Sequence, residues 1–421
     1  MRRTIISSAL VLASMIPQTT SKAQIAPVAQ SLPGGATWTS EVPSNWNGTL
    51  LLYSRGYSPV AGNPEPAPKA HRQALLDAGY AIAGSNYGSG GWAVEQAIPA
   101  QRATIAAFSA KHGKPRRVIA WGSSMGGLVS TALAETKGSG IHGAAPMCAS
   151  IGGSLGMMNM ALDGAYAFRT LIAPGSEIRI VRIDDDRANG KRVMDALATA
   201  TGTPEGRARV ALAGVLAGIP GWTSRDRAQP SDTDYTAQGE EIARSFVMGV
   251  FLPRTDQERR AGGVFSWNRG IDYRVQLGRS GRRPMVEALY RAAGLDLAKD
   301  LATLNAGERV EADPKAVAYM RTNYAPNARP FVPLVAVQTI GDGLTAPALQ
   351  RGYAEAARGD VKSLFVNAAG HCTFDTATVL STIRYLDARI ETGKWPATPG
   401  NFVSHQPAPM LRPCWRGGTC R

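Results

Sequence analysis

Long apolar runs are missing from this sequence: no segment reaches the roughly 20 consecutive apolar residues that a membrane-spanning helix requires. Stable membrane insertion is therefore not expected. Zinc-type ligand spacing is also lacking, as are a phosphate-binding P-loop and a dinucleotide-binding G-x-G-x-x-G, so neither a metal nor a cofactor is expected. No fixed-period repeat occurs, which excludes solenoids and propellers. Histidine is scarce, with 5 in 421 residues, so an imidazole base has few candidates. Acids are outnumbered: 32 Asp and Glu against 46 Lys and Arg give a formal net charge of +14. The surplus is scattered through Arg116-Arg117, Arg259-Arg260 and Arg279 with Arg282-Arg283, in no long run and with few aromatic neighbours. A basic surface is the plainer reading, and nucleic acid is not an expected partner.

What is present is globular in composition, at 44% hydrophobic and 19% charged with 46 Gly and 27 Pro. The length suits one large domain with an insertion, or two domains. Met1-Arg2-Arg3, an apolar stretch from Ile5 to Ile16 and then Ser21-Lys22-Ala23 have the form of an export leader over residues 1–23. The mature protein is then expected to be soluble, and secreted or periplasmic. Four cysteines in an exported chain suggest disulfides. Cys414 and Cys420 could close a small loop in the Pro/Gly-rich tail. That leaves Cys148 and Cys372 either to pair or to stay as buried thiols.

The most informative stretch runs from Arg117 to Leu128. Arg117-Val118-Ile119-Ala120-Trp121 reads as a buried strand, Gly122-Ser123-Ser124-Met125-Gly126 is a G-x-S-x-G, and Leu128 to Ala134 reads as a helix. Strand, glycine-flanked serine, helix is the order a nucleophile elbow requires. The turn is too tight for side chains at 122 and 126, and it forces a strained backbone on Ser124. The strain lifts Oγ out of the sheet, while the free N–H groups of the following helix face the same spot.

Strands and helices alternate around this elbow. Thr37–Val42, Thr49–Ser54, Tyr80–Ser85 and Ile141–Met147 read as strands, with helices around Ala67–Ala78 and Val94–His112. The alternation stops near 150 and resumes at Val332–Ile340, followed by a helix (Ala346–Arg358), a strand (Ser363–Val366) and a last helix from about Asp375 to Thr392. Between them lies mostly helical pattern: Leu155–Leu171, Lys191–Ala200, Pro204–Leu216, Tyr235–Phe251, Pro284–Ala293 and Pro314–Tyr324, with Asp313 as N-cap of the last. The expected class is α/β, a mostly parallel sheet flanked by helices with an inserted helical cap. The core would span 24–150 and 331–395, the cap 151–330, and a C-terminal tail 396–421.

Reactive side chains in such folds collect beyond the carboxyl ends of the strands. Ser124 ends one strand, Asp342 another and His371 the last. Ser124 needs His371 to take its proton, and Asp342 would hold the other imidazole nitrogen. His71, His112, His142 and His405 fall in or beside helices, at a strand start or in the tail, and read as packing residues. Asp342 in Gly-Asp-Gly also suits a plain turn, and Asp375 suits a helix cap better than a triad. Asp184-Asp185-Asp186 reads as a solvated loop rather than a metal site. The oxyanion donors are expected at Met125 and at Gly56 or Tyr57, in the loop after Thr49–Ser54.

On these residues the chain resembles the α/β-hydrolase superfamily, whose chain order is Ser, acid, His. It is similar to secreted bacterial members with a helical insertion before the acid strand, over most of residues 36 to 395. Many members carry His-Gly where this chain has Arg55-Gly56. Gly370-His371-Cys372 also resembles the tannase and feruloyl-esterase family, in which a cysteine beside the nucleophile is bridged to one beside the histidine. Position 123 is Ser here, so the resemblance implies Cys148 as the substitute partner of Cys372.

The expected activity is a secreted serine hydrolase that cleaves small-molecule or oligomeric carboxylic esters through an acyl-enzyme on Ser124. Trp92 and Tyr57 from the sheet side would shape the pocket, with Met157, Met158, Asn159, Trp267 and Asn268 from the cap. An exported peptidase or amidase with the same triad is the alternative, followed by an acyltransferase and a non-catalytic binding protein. The oligomeric state is not encoded in any of these features.

Overall fold

The computed structural model describes residues 29–420; the expected leader lies outside them. An eight-stranded sheet runs through the centre in the order β1-β2-β4-β3-β5-β6-β7-β8. β1 (Gln30–Ser31) and β2 (Thr37–Glu41) are the antiparallel edge. β3 (Thr49–Ser54), β4 (Ala81–Ser85), β5 (Arg117–Ser123), β6 (Gly143–Met147), β7 (Leu334–Gly341) and β8 (Val361–Ala369) run parallel. The core helices are α1 (Lys69–Asp77), α2 (Val94–His112) and α3 (Met125–Ala134).

Parallel strands covered on both faces must be apolar on both, and β3 and β4 are buried at every position. The period of two then sorts their side chains. Leu50, Leu52, Val118 and Ala120 meet Phe108, Leu128 and Leu133 from α2 and α3 on one face. Leu51, Ile119 and Trp121 meet Leu75, Leu76, Ile383 and Leu386 on the other.

Between β6 and β7 the chain forms α4 (Gly153–Leu171), α5 (Asp186–Thr201), α6 (Pro204–Ala217), α7 (Tyr235–Val250), α8 (Thr255–Ala261), α9 (Tyr273–Arg279), α10 (Arg283–Ala292), α11 (Leu297–Ala306) and α12 (Pro314–Tyr324). These helices build a core of their own around Phe168, Val210, Leu212, Ile242, Phe246 and Tyr290. α4 belongs to both cores. Its first half, with Leu155 and Met158, packs with the sheet, and its second half, with Leu162, Tyr166 and Phe168, packs with the insertion. The remaining helices, α13 (Pro347–Ala356) and α14 (Thr376–Thr392), flank β7 and β8.

Two expectations need correction. Asp313 precedes α12, but its side chain makes no cap bond; its Oδ2 accepts the N–H of Val264 at 2.7 Å instead. The Asp184–Asp186 run is not simply a solvated loop. Asp185 caps α5 through the N–H groups of Arg187 and Ala188, and Asp186 accepts the N–H of Arg254 at 3.1 Å. The C-terminal tail after 396 is fastened to the rest of the molecule. Arg412, fully buried, donates to Asp163 of α4 at 2.8 Å, and the N–H of Val403 donates to the Phe365 carbonyl, covering the exposed edge of β8.

Candidate active site

Ser124 sits between β5 and α3 at φ 58° and ψ −123°, a conformation that costs a non-glycine residue about 1–3 kcal/mol. The flanking glycines are required by contact. A Cβ on Gly126 would collide with the Ser54 carbonyl, and one on Gly122 would lie 2.7 Å from the Gly126 carbonyl. The N–H of Ser124 donates to Met147 at 3.1 Å, which ties the elbow to the end of β6.

Asp342 follows β7 and is fully buried. Its Oδ1 accepts the N–H groups of Leu344 and Thr345, at 2.8 and 2.9 Å. Its Oδ2 lies 2.8 Å from Nδ1 of His371 and 2.9 Å from the Thr345 hydroxyl. The Gly-Asp-Gly turn and the imidazole partner are thus one arrangement: Oδ1 closes the turn and leaves Oδ2 for the histidine. A carboxylate on Nδ1 fixes that nitrogen as the protonated one and leaves Nε2 free to accept a proton.

His371 follows Ala369-Gly370 at the end of β8, and Cys148 is disulfide-bonded to Cys372 beside it. The bridge joins the end of β6 to the histidine loop. The Thr345 hydroxyl also reaches the Cys148 carbonyl at 2.8 Å. Ser124, Asp342 and His371 therefore gather at one end of the sheet, linked through Met147, Cys148 and Thr345. No direct hydrogen bond joins Ser124 to His371 among the described residues; Nε2 lies 3.3 Å from Sγ of Cys372. Such contacts commonly tighten only when substrate is bound. Asp375 caps α14 through the N–H of Thr378, as expected of a helix start.

The loop after β3 lies against the serine. A Cβ on Gly56 would sit 3.4 Å from Cβ of Ser124 and 3.3 Å from the Ser123 carbonyl. The main-chain N–H groups of Tyr57 and Met125 have no hydrogen-bond acceptor among the described residues, which leaves both available as donors. Arg55, which the sequence marked only as a departure from His-Gly, braces this loop. Its guanidinium donates to the carbonyls of Gly56 at 3.1 Å, Asn86 at 3.2 Å and Ser89 at 2.7 Å, and stacks over Tyr87 at 4.6 Å. The Tyr87 hydroxyl donates back to the Arg55 carbonyl at 3.1 Å. Carbonyl and N–H of one trans peptide point opposite ways, so holding the Gly56 carbonyl also aims the Tyr57 N–H.

The expected pocket residues are distributed unevenly. The Tyr57 and Trp92 rings are 5.8 Å apart, and burial, reinforced by Asp256 and Asp186, raises the Tyr57 phenol above its ordinary range. Trp92 and Met158 are buried in the sheet core, and the Trp92 N–H donates to Asp256 of α8 at 2.8 Å. Trp267 lines an open cleft of about 540 Å³ with Arg269, Glu311 and Arg321, and none of Ser124, Asp342 or His371 is in that lining. No cluster of His, Cys, Asp and Glu suited to a metal occurs among the described residues. The second disulfide, Cys414–Cys420, closes the small tail loop.

Strand order, elbow, and an acid and a histidine after the last two strands are those of the α/β-hydrolase fold. Among curated proteins it is similar to an o-phthalyl amidase of Xanthobacter agilis, 29% identical over 406 residues that cover 87% of this chain and 88% of that protein. No family model matches. Solved structures that resemble it include a proline iminopeptidase of Mycobacterium smegmatis, at 13% identity and a TM-score of 0.41, covering 87% of this chain and all of that one. Feruloyl esterase B of Aspergillus oryzae matches at 14% identity and a TM-score of 0.39, over 86% of this chain and 78% of that one. Likenesses this loose say nothing about substrate.

Proposed function

We propose that the protein is a serine hydrolase of carboxylic acid derivatives, with Ser124 as nucleophile, His371 as base and Asp342 as the group that holds the imidazole. The observation that carries this is the 2.8 Å contact from a buried, turn-locked Asp342 to Nδ1 of His371, at the sheet end that also bears the Ser124 elbow. Oγ of Ser124 adds to the substrate carbonyl as its proton passes to Nε2. The resulting oxyanion is met by the N–H groups of Met125 and Tyr57. The tetrahedral adduct collapses when the leaving group takes the proton from Nε2, and water repeats the sequence on the acyl-enzyme.

Esters are the leading substrates. Amides are the second reading, supported by the amidase among the curated relatives. Two disulfides among the described residues support an exported protein. The test is labelling by a fluorophosphonate together with turnover of 4-nitrophenyl acetate and of the matching 4-nitroanilide. Wild type should label and turn over ester, and Ser124→Ala should do neither. A wild type that folds normally but resists labelling would refute the assignment.

A further inference from the structure

We propose that Arg225 is a carboxylate-binding subsite beside the histidine loop, so that the preferred substrates carry a negative charge close to the scissile bond. The proposal rests on the serine-hydrolase reading given above. It starts from the segment that leaves α6 at Gly218 and crosses back over the sheet. Glu241 of α7 is buried, and its carboxylate accepts the consecutive main-chain N–H groups of Thr223 and Ser224, at 2.8 and 2.7 Å. The Thr223 hydroxyl donates to the Glu241 carbonyl at 2.7 Å, and Arg227 pairs with the same carboxylate at 3.0 Å. A buried carboxylate taken up by main-chain donors in this way pins the strap tightly.

The strap is pinned over the reactive loops. The Trp222 carbonyl lies 2.7 Å from where a Cβ on Gly341 would stand, the Thr223 methyl 3.1 Å from one on Gly343, and Cβ of Arg225 3.7 Å from one on Gly370. Those glycines flank Asp342 and precede His371. A side chain at Gly341 or Gly343 would push the strap away, and at Gly370 the strap lies at ordinary contact distance.

Arg225 is exposed and makes no ion pair, hydrogen bond or ring contact among the described residues. Its neighbours behave differently. Arg227 closes on Glu240 and Glu241, and Arg244 lies 3.8 Å from Glu241. Asp226, the next residue, makes no ion pair with Arg225 either. The one acid within the triad is fully buried and turned to the histidine. A guanidinium whose stem starts beside Gly370, one residue before the candidate base, with no protein carboxylate paired to it among the described residues, suits a planar carboxylate supplied by the substrate. The flexible stem lets it follow substrates of different length.

Two substrate pairs test this. Mono-4-nitrophenyl glutarate against 4-nitrophenyl acetate puts the charge on the acyl side, and 3-acetoxybenzoate against phenyl acetate puts it on the leaving group. Arg225→Gln should lower kcat/KM for at least one charged member about five- to fiftyfold, between the worth of an open ion pair and that of a charged hydrogen bond in a covered site. Both neutral members should stay within about twofold. Sodium chloride should weaken turnover of the affected substrate in wild type and not in the variant. Which pair responds tells which side of the scissile bond Arg225 reads. Equal effects on charged and neutral members, or none, would overturn the subsite while fluorophosphonate labelling of Ser124 left the enzyme assignment standing. A wild type that is not labelled removes both.

Discussion

Replacing Cys148 and Cys372 together by serine should cost more stability than any other change to the cysteines, and should slow catalysis as well. The bridge closes a separation of 224 residues. Loop-closure entropy for that length is about 18 cal/mol/K, or about 5.4 kcal/mol at 25 °C, and measured disulfides more often deliver about 2–4 kcal/mol. The bridge between Cys414 and Cys420 spans 6 residues, for which the same relation gives about 2 kcal/mol. The two serine pairs should therefore differ clearly in urea unfolding midpoint. Catalysis separates them further. The histidine loop has other ties, since Gly370 donates to the Gly341 carbonyl at 3.0 Å and the Thr339 hydroxyl to the Gly370 carbonyl at 3.0 Å. Loss of the bridge should then loosen the imidazole rather than release it, and kcat on 4-nitrophenyl acetate should fall about tenfold, against the hundredfold of a 1 Å misplacement. The Cys414→Ser/Cys420→Ser protein is the control, with kcat unchanged. If the Cys148→Ser/Cys372→Ser protein kept wild-type kcat and unfolded no earlier than the control, the idea that this bridge pins the histidine loop would be wrong.

Arg55→Ala should lower kcat about ten- to a hundredfold with little change in KM, because the Gly56 peptide loses its brace and the Tyr57 donor its aim; a boronic acid inhibitor should weaken in parallel. Arg412→Met should cost about 3–5 kcal/mol, since Asp163 stays buried without its guanidinium. Burial already raises the Asp163 carboxyl, so the native state holds its proton to higher pH than the unfolded chain, and stability falls as pH rises through the folded value. The deficit of Arg412→Met should accordingly be larger at pH 8 than at pH 5 in matched thermal melts. Asp256 shifts the other way: burial opposes its charge, but Arg260 and the Trp92 N–H hold it below the ordinary carboxylate range. Its contribution is complete above the unfolded value near 3.8 and is lost as pH falls through the folded one. Asp256→Asn should therefore lower the melting temperature at neutral pH and converge on wild type below about pH 4, where the wild-type carboxylate is itself protonated.

The elbow was legible because its constraint is local: steric demand at Gly122, Ser124 and Gly126 is written in adjacent residues. The helix Val94–His112 was legible for the same reason, ending at Gly113 with φ 91°. Asp342 and His371 could be read because each closes a strand. What escaped the sequence depends on partners far along the chain. Asp313 has the form of a cap, yet Val264 claims its carboxylate. Arg55 could be read as a departure from His-Gly, but the carbonyls of Asn86 and Ser89 that give it a task lie more than 30 positions away. The short helices α8, α9 and α11 carry too few turns for an apolar period to stand out. Thr345, which touches Asp342, His371 and Cys148 at once, had only its place three residues after the acid to recommend it.

Because α4 is built into both hydrophobic cores, the helical insertion cannot swing as a hinged door without tearing one of them. Traffic to Ser124 must then depend on side chains and short connecting segments. Anyone wishing to transplant a foreign insertion into this scaffold would have to splice within the α4 rod itself, keeping its first turns with the recipient and its last with the donor.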